Sequence, residues 1–378
     1  MSDTAYVAKI MIAPRTAPVR TTGVVGFVRT RLLNSPTNIL LTIACILLLW
    51  FTIIPTVKFL LVDAVWQGND RNACLPESVG RPVGACWPFI EAKFSQFIYG
   101  FYPERERWRV DLTFAIGILL LVPLLIPRLP AKTLNAALFF LAFPLIAFFL
   151  LHGGYGGLDV VPTRLWGGML VTLVVAITGI VASMPIGIAL ALGRRSSIPL
   201  IRYGCIAFIE FWRGVPLITV LFFATYMLPL FLPGNFTVDG LVRVLIGVAL
   251  FAGAYNAEVI RGGLQAIPRG QAEAASALGL SWWKTTRLVV LPQALRHVIP
   301  GLVNSFIALL KDTSLVSIVA LFDLLGQLRA AFADPAWSSP STLFTGFAFT
   351  GIIYFVLCFG MSRYSLFVER RLNAHRRS

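Results

Sequence analysis

Charged residues are scarce in this chain: only 13% of its 378 residues are Asp, Glu, Lys or Arg, against roughly 25% in soluble globular domains. With 57% hydrophobic residues and a mean hydropathy of +0.79, that deficit excludes an ordinary soluble fold. Acidic residues are the rarer sign, 17 against 32 basic, for a net charge of +15. Such an excess raises nucleic acid as a partner, but inner-membrane proteins gather Lys and Arg in cytoplasmic loops and tails, and the basic residues here follow that pattern. Histidine is nearly missing. His152, His297 and His375 lie far apart without ligand spacing, so no metal centre is expected. No G-x-x-x-x-G-K-[ST] string occurs, so the chain is not expected to hydrolyse ATP or to carry a cofactor. The alternation over about ten residues that marks a transmembrane barrel is also missing.

What is present is long apolar runs. Eight reach the length of a membrane-spanning helix, at about 38–61, 110–127, 134–151, 165–192, 200–230, 243–260, 298–320 and 343–362. The expected fold is therefore an all-α integral membrane protein with about eight transmembrane helices. The first run follows a polar arm and exceeds the roughly 7–15 residues of a signal-peptide centre, so it is expected to stay as an uncleaved span. The longest runs exceed the roughly twenty residues a crossing needs, so tilt or kinks at Pro185 and Pro216 are expected.

Charge sets the topology. The arm 1–37 carries Lys9, Arg15, Arg20, Arg29 and Arg31 against Asp3 and is expected in the cytoplasm. Alternation puts the loop 62–109, with six basic and six acidic residues, outside a bacterial inner membrane. Arg128, Lys132, Arg194, Arg195 and Arg202 fall inside. So does the tail 366–378, and both termini are therefore cytoplasmic. Cys45, Cys205 and Cys358 lie in spans, where cysteine behaves as a small hydrophobe. Cys74 and Cys86 share the outer loop, where the oxidising compartment favours a disulfide; C-x11-C is not zinc-ligand spacing.

One inside connection, 261–297, is polar and long. Pro268 suits a helix start, Ala272 to Leu278 are strong helix formers, and Gly279 suits a left-handed helix end. Ser281 is expected to cap a second helix that Pro292 would limit. The predicted shape is helix, bend, helix, with Leu278, Leu280, Trp282 and Trp283 at the bend as anchors for a partner's groove.

Glu273-Ala274-Ala275, Gly279 and Leu291-Pro292 resemble the EAA motif of ATP-binding-cassette importer permeases. The strings AYNAEVIRGGLQAIPRGQAEAASALGLS, LPQALRHVIPGLVNSFIALLKDTSL and IEFWRGVPLI resemble the polar amino-acid branch of that family, although Val215 stands where Thr often precedes the proline. ACWPFI and YGFYPERERWRVDLTFAIG are similar to M-type permeases of general L-amino-acid importers. The resemblance implies a five-helix type I importer core over 160–365, preceded by a three-helix extension at 38–151. It makes Glu273, Ala274, Ala275, Leu278, Gly279, Leu280, Trp282, Trp283, Leu291 and Pro292 ATPase-coupling residues. Expected partners are a homologous second permease, two ATPase subunits holding ATP and Mg, a periplasmic amino-acid-binding protein, and L-amino acids.

Ionisable residues within spans face a cavity or a partner. Glu210 and Arg213 share a helical face, and Lys311 and Asp312 precede Thr313 and Ser314 near the middle of the seventh run. One reading has these charges pinning the bundle. The other has them lining a substrate path, with Lys311 toward a carboxylate, Asp312 toward an ammonium, and Thr313 and Ser314 as neutral donors. Glu258 and Arg261 are expected to pair at an inner helix end and position the loop. Gly179, Ser183 and Gly187 form a small-residue ridge suited to packing within the chain. Two competing classes are an ion-gradient transporter, which needs no docking loop and often shows inverted repeats, and a non-transporting membrane scaffold.

Overall fold

The computed structural model describes residues 23–126, 129–231, 233 and 238–374, with side chains to residue 371. The expectations for 1–22, Arg128 and the end of the basic tail lie outside the described residues. Regular structure among the described residues is helical, with isolated bridges but no strand. A helix satisfies its own backbone polar groups, which is what the bilayer demands.

Seven helices are long and apolar enough to cross a membrane, or eight if one bent pair counts as a span. The first, α1 (Pro36–Val57), is extended by a wide turn to Val62 and is exposed all round over its apolar stretch. Outside the bundle lies α2 (Trp87–Tyr99). The next two spans are α3 (Arg107–Leu125) and the segment Lys132–His152, whose second half is α4 (Phe143–His152). The core begins with α5 (Gly168–Gly193), which runs unbroken through Pro185. It continues with α6 (Pro199–Gly214) and α7 (Leu217–Phe222).

The run expected as one span over 200–230 is broken. The segments Pro199–Gly214 and Leu217–Phe231 meet at 102°. Val215, at φ −105° and ψ 133°, is extended, because the ring of Pro216 disfavours helical backbone at the residue before it. Proline thus turns a kink into a corner.

The next span is α8 (Gly240–Ala266), which packs along α5. A Cβ on Gly187 would lie 3.2 Å from the Ala257 nitrogen, and one on Gly253 would lie 2.5 Å from Ile186 Cγ2. Asn256, buried in α8, donates to Ser183 Oγ at 2.9 Å. The small-residue ridge therefore serves packing within the chain. After a short helix, α9 (Arg269–Ala277), come α10 (Leu291–Asp312), α11 (Leu324–Phe332) and α12 (Pro340–Ala374).

The loop before α2 is fastened to the core. Cys74 and Cys86 are disulfide-bonded and buried. Ser341 Oγ donates to the Cys74 carbonyl at 3.1 Å, and the Cys86 amide donates to Thr345 Oγ1 at 2.8 Å. Phe89 and Phe97 are fully buried against Phe332, Trp337 and Phe349, each contributing ~1.5–3 kcal/mol of apolar burial. Lys93 pairs with Asp334. The region 63–100 is thus a cap seated on α11 and the start of α12.

Candidate coupling surface and substrate path

The helix–bend–helix is built by backbone hydrogen bonds. At the end of α9 the Gly279 amide donates to the Ser276 carbonyl at 2.9 Å, and the Leu280 amide donates to Ala275 at 3.2 Å. Gly279 has φ +78°. These two bonds and the left-handed glycine form a Schellman closure, which satisfies the last carbonyls of a helix. Ala275 is buried and seats α9 on the protein. Gln293 Nε2 donates to Gln271 Oε1 at 3.2 Å, tying α9 to the foot of α10.

Beyond the bend the short helix Trp282–Thr285 begins, but the Ser281 side chain makes no capping bond to it. The expected cap is corrected: the first turn is closed by the Thr285 amide on the Ser281 carbonyl at 2.8 Å. The second helix does not continue regularly to Pro292. A widened turn, Thr286–Val290, absorbs the geometry, and Pro292 falls in the first turn of α10, where a missing N–H costs nothing.

The result is a protruding apolar tip. Leu278 is 83% exposed, Trp283 72% and Trp282 55%, with Leu288 also exposed. The two indole rings lie edge to face at 4.7 Å. Glu273, Ala274 and Gly279 are exposed beside them, Leu280 and Leu291 are half-buried, and Pro292 is exposed.

Glu210 and Arg213 enter an ion-pair set at the adjoining helix ends. Arg194, which ends α5, reaches Glu258 at 2.5 Å and Glu210 at 3.3 Å. Arg261 pairs with Glu258 at 2.8 Å, while Arg213 lies 3.9 Å from Glu210 and over the Tyr255 ring. Three guanidiniums thus hold two carboxylates and join α5, α6 and α8. Glu210 and Arg213 meet each other here, together with Arg194 and Glu258, and do not adjoin Lys311. The reading of those two residues as pins of the bundle is the one this geometry supports.

Lys311 and Asp312 stand at the very end of α10, not mid-helix, because the chain tightens there into a 3-10 stretch, Thr313–Val319. The turn separates the four neighbouring side chains. Thr313 is buried and donates to the Leu310 carbonyl at 2.8 Å. Lys311 and Ser314 line a cavity of about 290 Å3 with Leu325, Phe347, Thr350, Gly351 and Tyr354; Asp312 and Thr313 do not line it.

Asp323, unremarked in the sequence, is fully buried and is bonded by Tyr354, which lines that cavity. Its carboxylate caps α11 through the Leu325 and Gly326 amides and accepts from Tyr354 Oη at 3.0 Å. Burial pushes this carboxyl above its usual range, against the hydrogen bonds that favour its charged form. The D-x-x-G spacing after an apolar run was the only signal of it. Arg194, Thr350 and Tyr354 carried no motif at all.

A helical bundle of membrane spans with one protruding apolar tip, and charges gathered at helix ends and one cavity, is built as a membrane-spanning transport component. Residues 183–374 match the family described as "Binding-protein-dependent transport system inner membrane component". The chain belongs to that family. It is 48% identical over 96% of its length to 97% of the inner membrane amino-acid ABC transporter permease protein YhdY of Escherichia coli. It is 39% identical, over the whole of both chains, to the glutamate/glutamine/aspartate/asparagine transport system permease protein BztC of Rhodobacter capsulatus. A solved amino acid ABC transporter crystallised with histidines is 31% identical, with 54% of this chain and 92% of that one covered at a TM-score of 0.47. The protein is a permease subunit of the ABC type, located in the inner membrane.

Proposed function

We propose that this permease carries L-amino acids across the inner membrane by alternating access, driven by ATP hydrolysis on separate ATPase subunits. The observation that carries the reading is the apolar tip: Leu278, Trp282 and Trp283 stand in solvent on a rigid bend, and aromatic anchors of this kind supply most of the energy of a docked interface. An ATPase cleft receives the tip, and its movement is passed to α8 and α10 through the buried seat of Ala275 and the ion pairs at Glu258. ATP and Mg belong to that partner. The relatives are named for amino-acid transport, which supports the substrate class. A second, homologous permease and a periplasmic binding protein complete the assembly.

The core is 160–365, preceded by the extension 38–151, with both termini and the loop 261–297 in the cytoplasm. Lys311 and Ser314 belong to the substrate path. Asp312 is assigned to its ammonium-binding side, and Glu210 and Arg213 to the inner latch below it. Reconstitution in liposomes tests the reading. The full complex should take up radiolabelled L-glutamine only with ATP, and Trp282→Ala with Trp283→Ala should lower ATPase affinity roughly 100-fold or more. Uptake driven by an ion gradient without the ATPase would overturn it.

A further inference from the structure

We infer that the disulfide-closed cap is a brace: it holds the cap-side ends of α5, α11 and α12 as one rigid body throughout the transport cycle. Opening on that side then falls where this body meets another chain, and not between its own helices. The cycle itself rests on the transport reading above.

The cap joins each of the three elements by a different kind of contact. Toward α5 the join is backbone on backbone: Phe97 and Gly100, at the end of α2, lie against Gly168 and Gly167, and a Cβ on Gly168 or Gly100 would collide with the facing main chain. Toward α11 the join is polar and aromatic. Gln96 Nε2 donates to Oε1 of the fully buried Gln327 at 3.0 Å, and Phe89 stacks on Phe332 with ring centroids 6.0 Å apart. Just beyond α11, Lys93 pairs with Asp334 and the Arg71 amide donates to the Ala336 carbonyl at 2.9 Å. Toward α12, Cys74 accepts from Ser341 and Cys86 donates to Thr345, one bond from each half of the disulfide.

The three elements are also tied to one another beneath the cap. The Gly168 amide donates to the Phe322 carbonyl at 2.8 Å, and the Leu324 amide donates to Thr172 Oγ1 at 3.0 Å. Both bonds hold α5 to the start of α11. The bond from Tyr354 to Asp323 extends the tie further along α12. Separating these parts would strand buried donors and acceptors, which is costly. Protein motions concentrate in a few hinge residues or in sliding helices. α11 is held at its start by Asp323, at its middle by Gln327 and at its end by Phe332, which leaves it no hinge to swing on.

With Cys45, Cys205 and Cys358 changed to serine, nitroxides on Glu91→Cys in the cap and Arg329→Cys in α11, both exposed, report their separation by electron–electron resonance in the permease–ATPase complex. The distance distribution should coincide without nucleotide and with ATP trapped by vanadate. Widening or splitting on ATP binding would overturn the brace. Lys93→Cys and Asp334→Cys, joined by a bis-methanethiosulfonate and verified by mass spectrometry, should leave ATP-driven uptake of L-glutamine into liposomes unchanged. Loss of uptake on joining would also overturn it. Cys74→Ser with Cys86→Ser and Lys93→Ala should broaden the distribution and lower the glutamine moved per ATP hydrolysed at normal abundance. Gln96→Ala with Lys93→Ala, which keeps the disulfide, gives the same comparison if the first variant does not reach the membrane. Broadening with full coupling would reduce the cap to a stabilising element and overturn the brace. No uptake by the unmodified complex, with coincident distances, would remove the transport reading and leave the rigid body standing. Uptake with distances that change would remove the brace alone.

Discussion

Gly279 holds the bend at φ +78°, and a Cβ built there meets no atom within 4 Å. Within the chain, the whole penalty of a side chain at this position is backbone strain. Left-handed backbone costs an L-residue about 1–2 kcal/mol, less for Asn and Asp, whose side chains bond locally. At a factor of ten per 1.4 kcal/mol, Gly279→Ala should reduce the population of correctly bent tips roughly 5–30-fold. Gly279→Asn should lose much less. The assay is co-purification of the ATPase with each variant, alongside ATP-driven uptake and membrane abundance. Both variants should reach wild-type abundance, because the spans are untouched. Strain predicts that Ala is worse than Asn, whereas crowding at the partner's surface predicts the reverse, since Asn is larger. Wild-type ATPase recovery and uptake for Gly279→Ala would refute the assignment of this bend.

Glu258→Gln removes the carboxylate shared by Arg194 and Arg261; uptake per turnover of ATP should fall at normal abundance, by an amount that shrinks as salt is raised. Replacing Cys74 and Cys86 by serine opens a short loop whose closure is worth roughly 3 kcal/mol in the chain-entropy picture, so residues 63–86 should become protease-sensitive while the spans remain folded. Acid should loosen the same cap. The hydrogen bond from Lys93 holds the Asp334 carboxyl below its usual range, so its contribution is complete above the unfolded value of about 3.9 and is lost as pH falls through the depressed folded value. Hydrogen exchange in α2 should therefore be flat from about pH 5 to 8 once intrinsic rates are corrected, with protection declining only below about pH 4. Decline already at pH 6 would count against the pair.

The bilayer makes much of this protein legible from sequence. A chain that must satisfy its backbone polar groups internally writes each span as a local apolar run, and the eight runs recur as the spans of the bundle once the bent pair is counted as one. The bend at Gly279 was equally local, because a left-handed helix end needs glycine and little else. Pro216 was readable as a disruption, but its 102° corner depended on how α6 and Leu217–Phe231 pack. Ser281 shows the limit of local signals: a favourable residue type stood there, and its own carbonyl closed the first turn instead of its side chain. The pairing of Arg194 with Glu258, 64 residues away, left no trace in spacing. Neither did the seating of the cap on α11, nor the lining of one cavity by Lys311 and Tyr354. Apolarity and turn chemistry act between near neighbours and so determined which segments exist. Charge pairing and cavity walls act across space between distant segments, and only the packed bundle decided them.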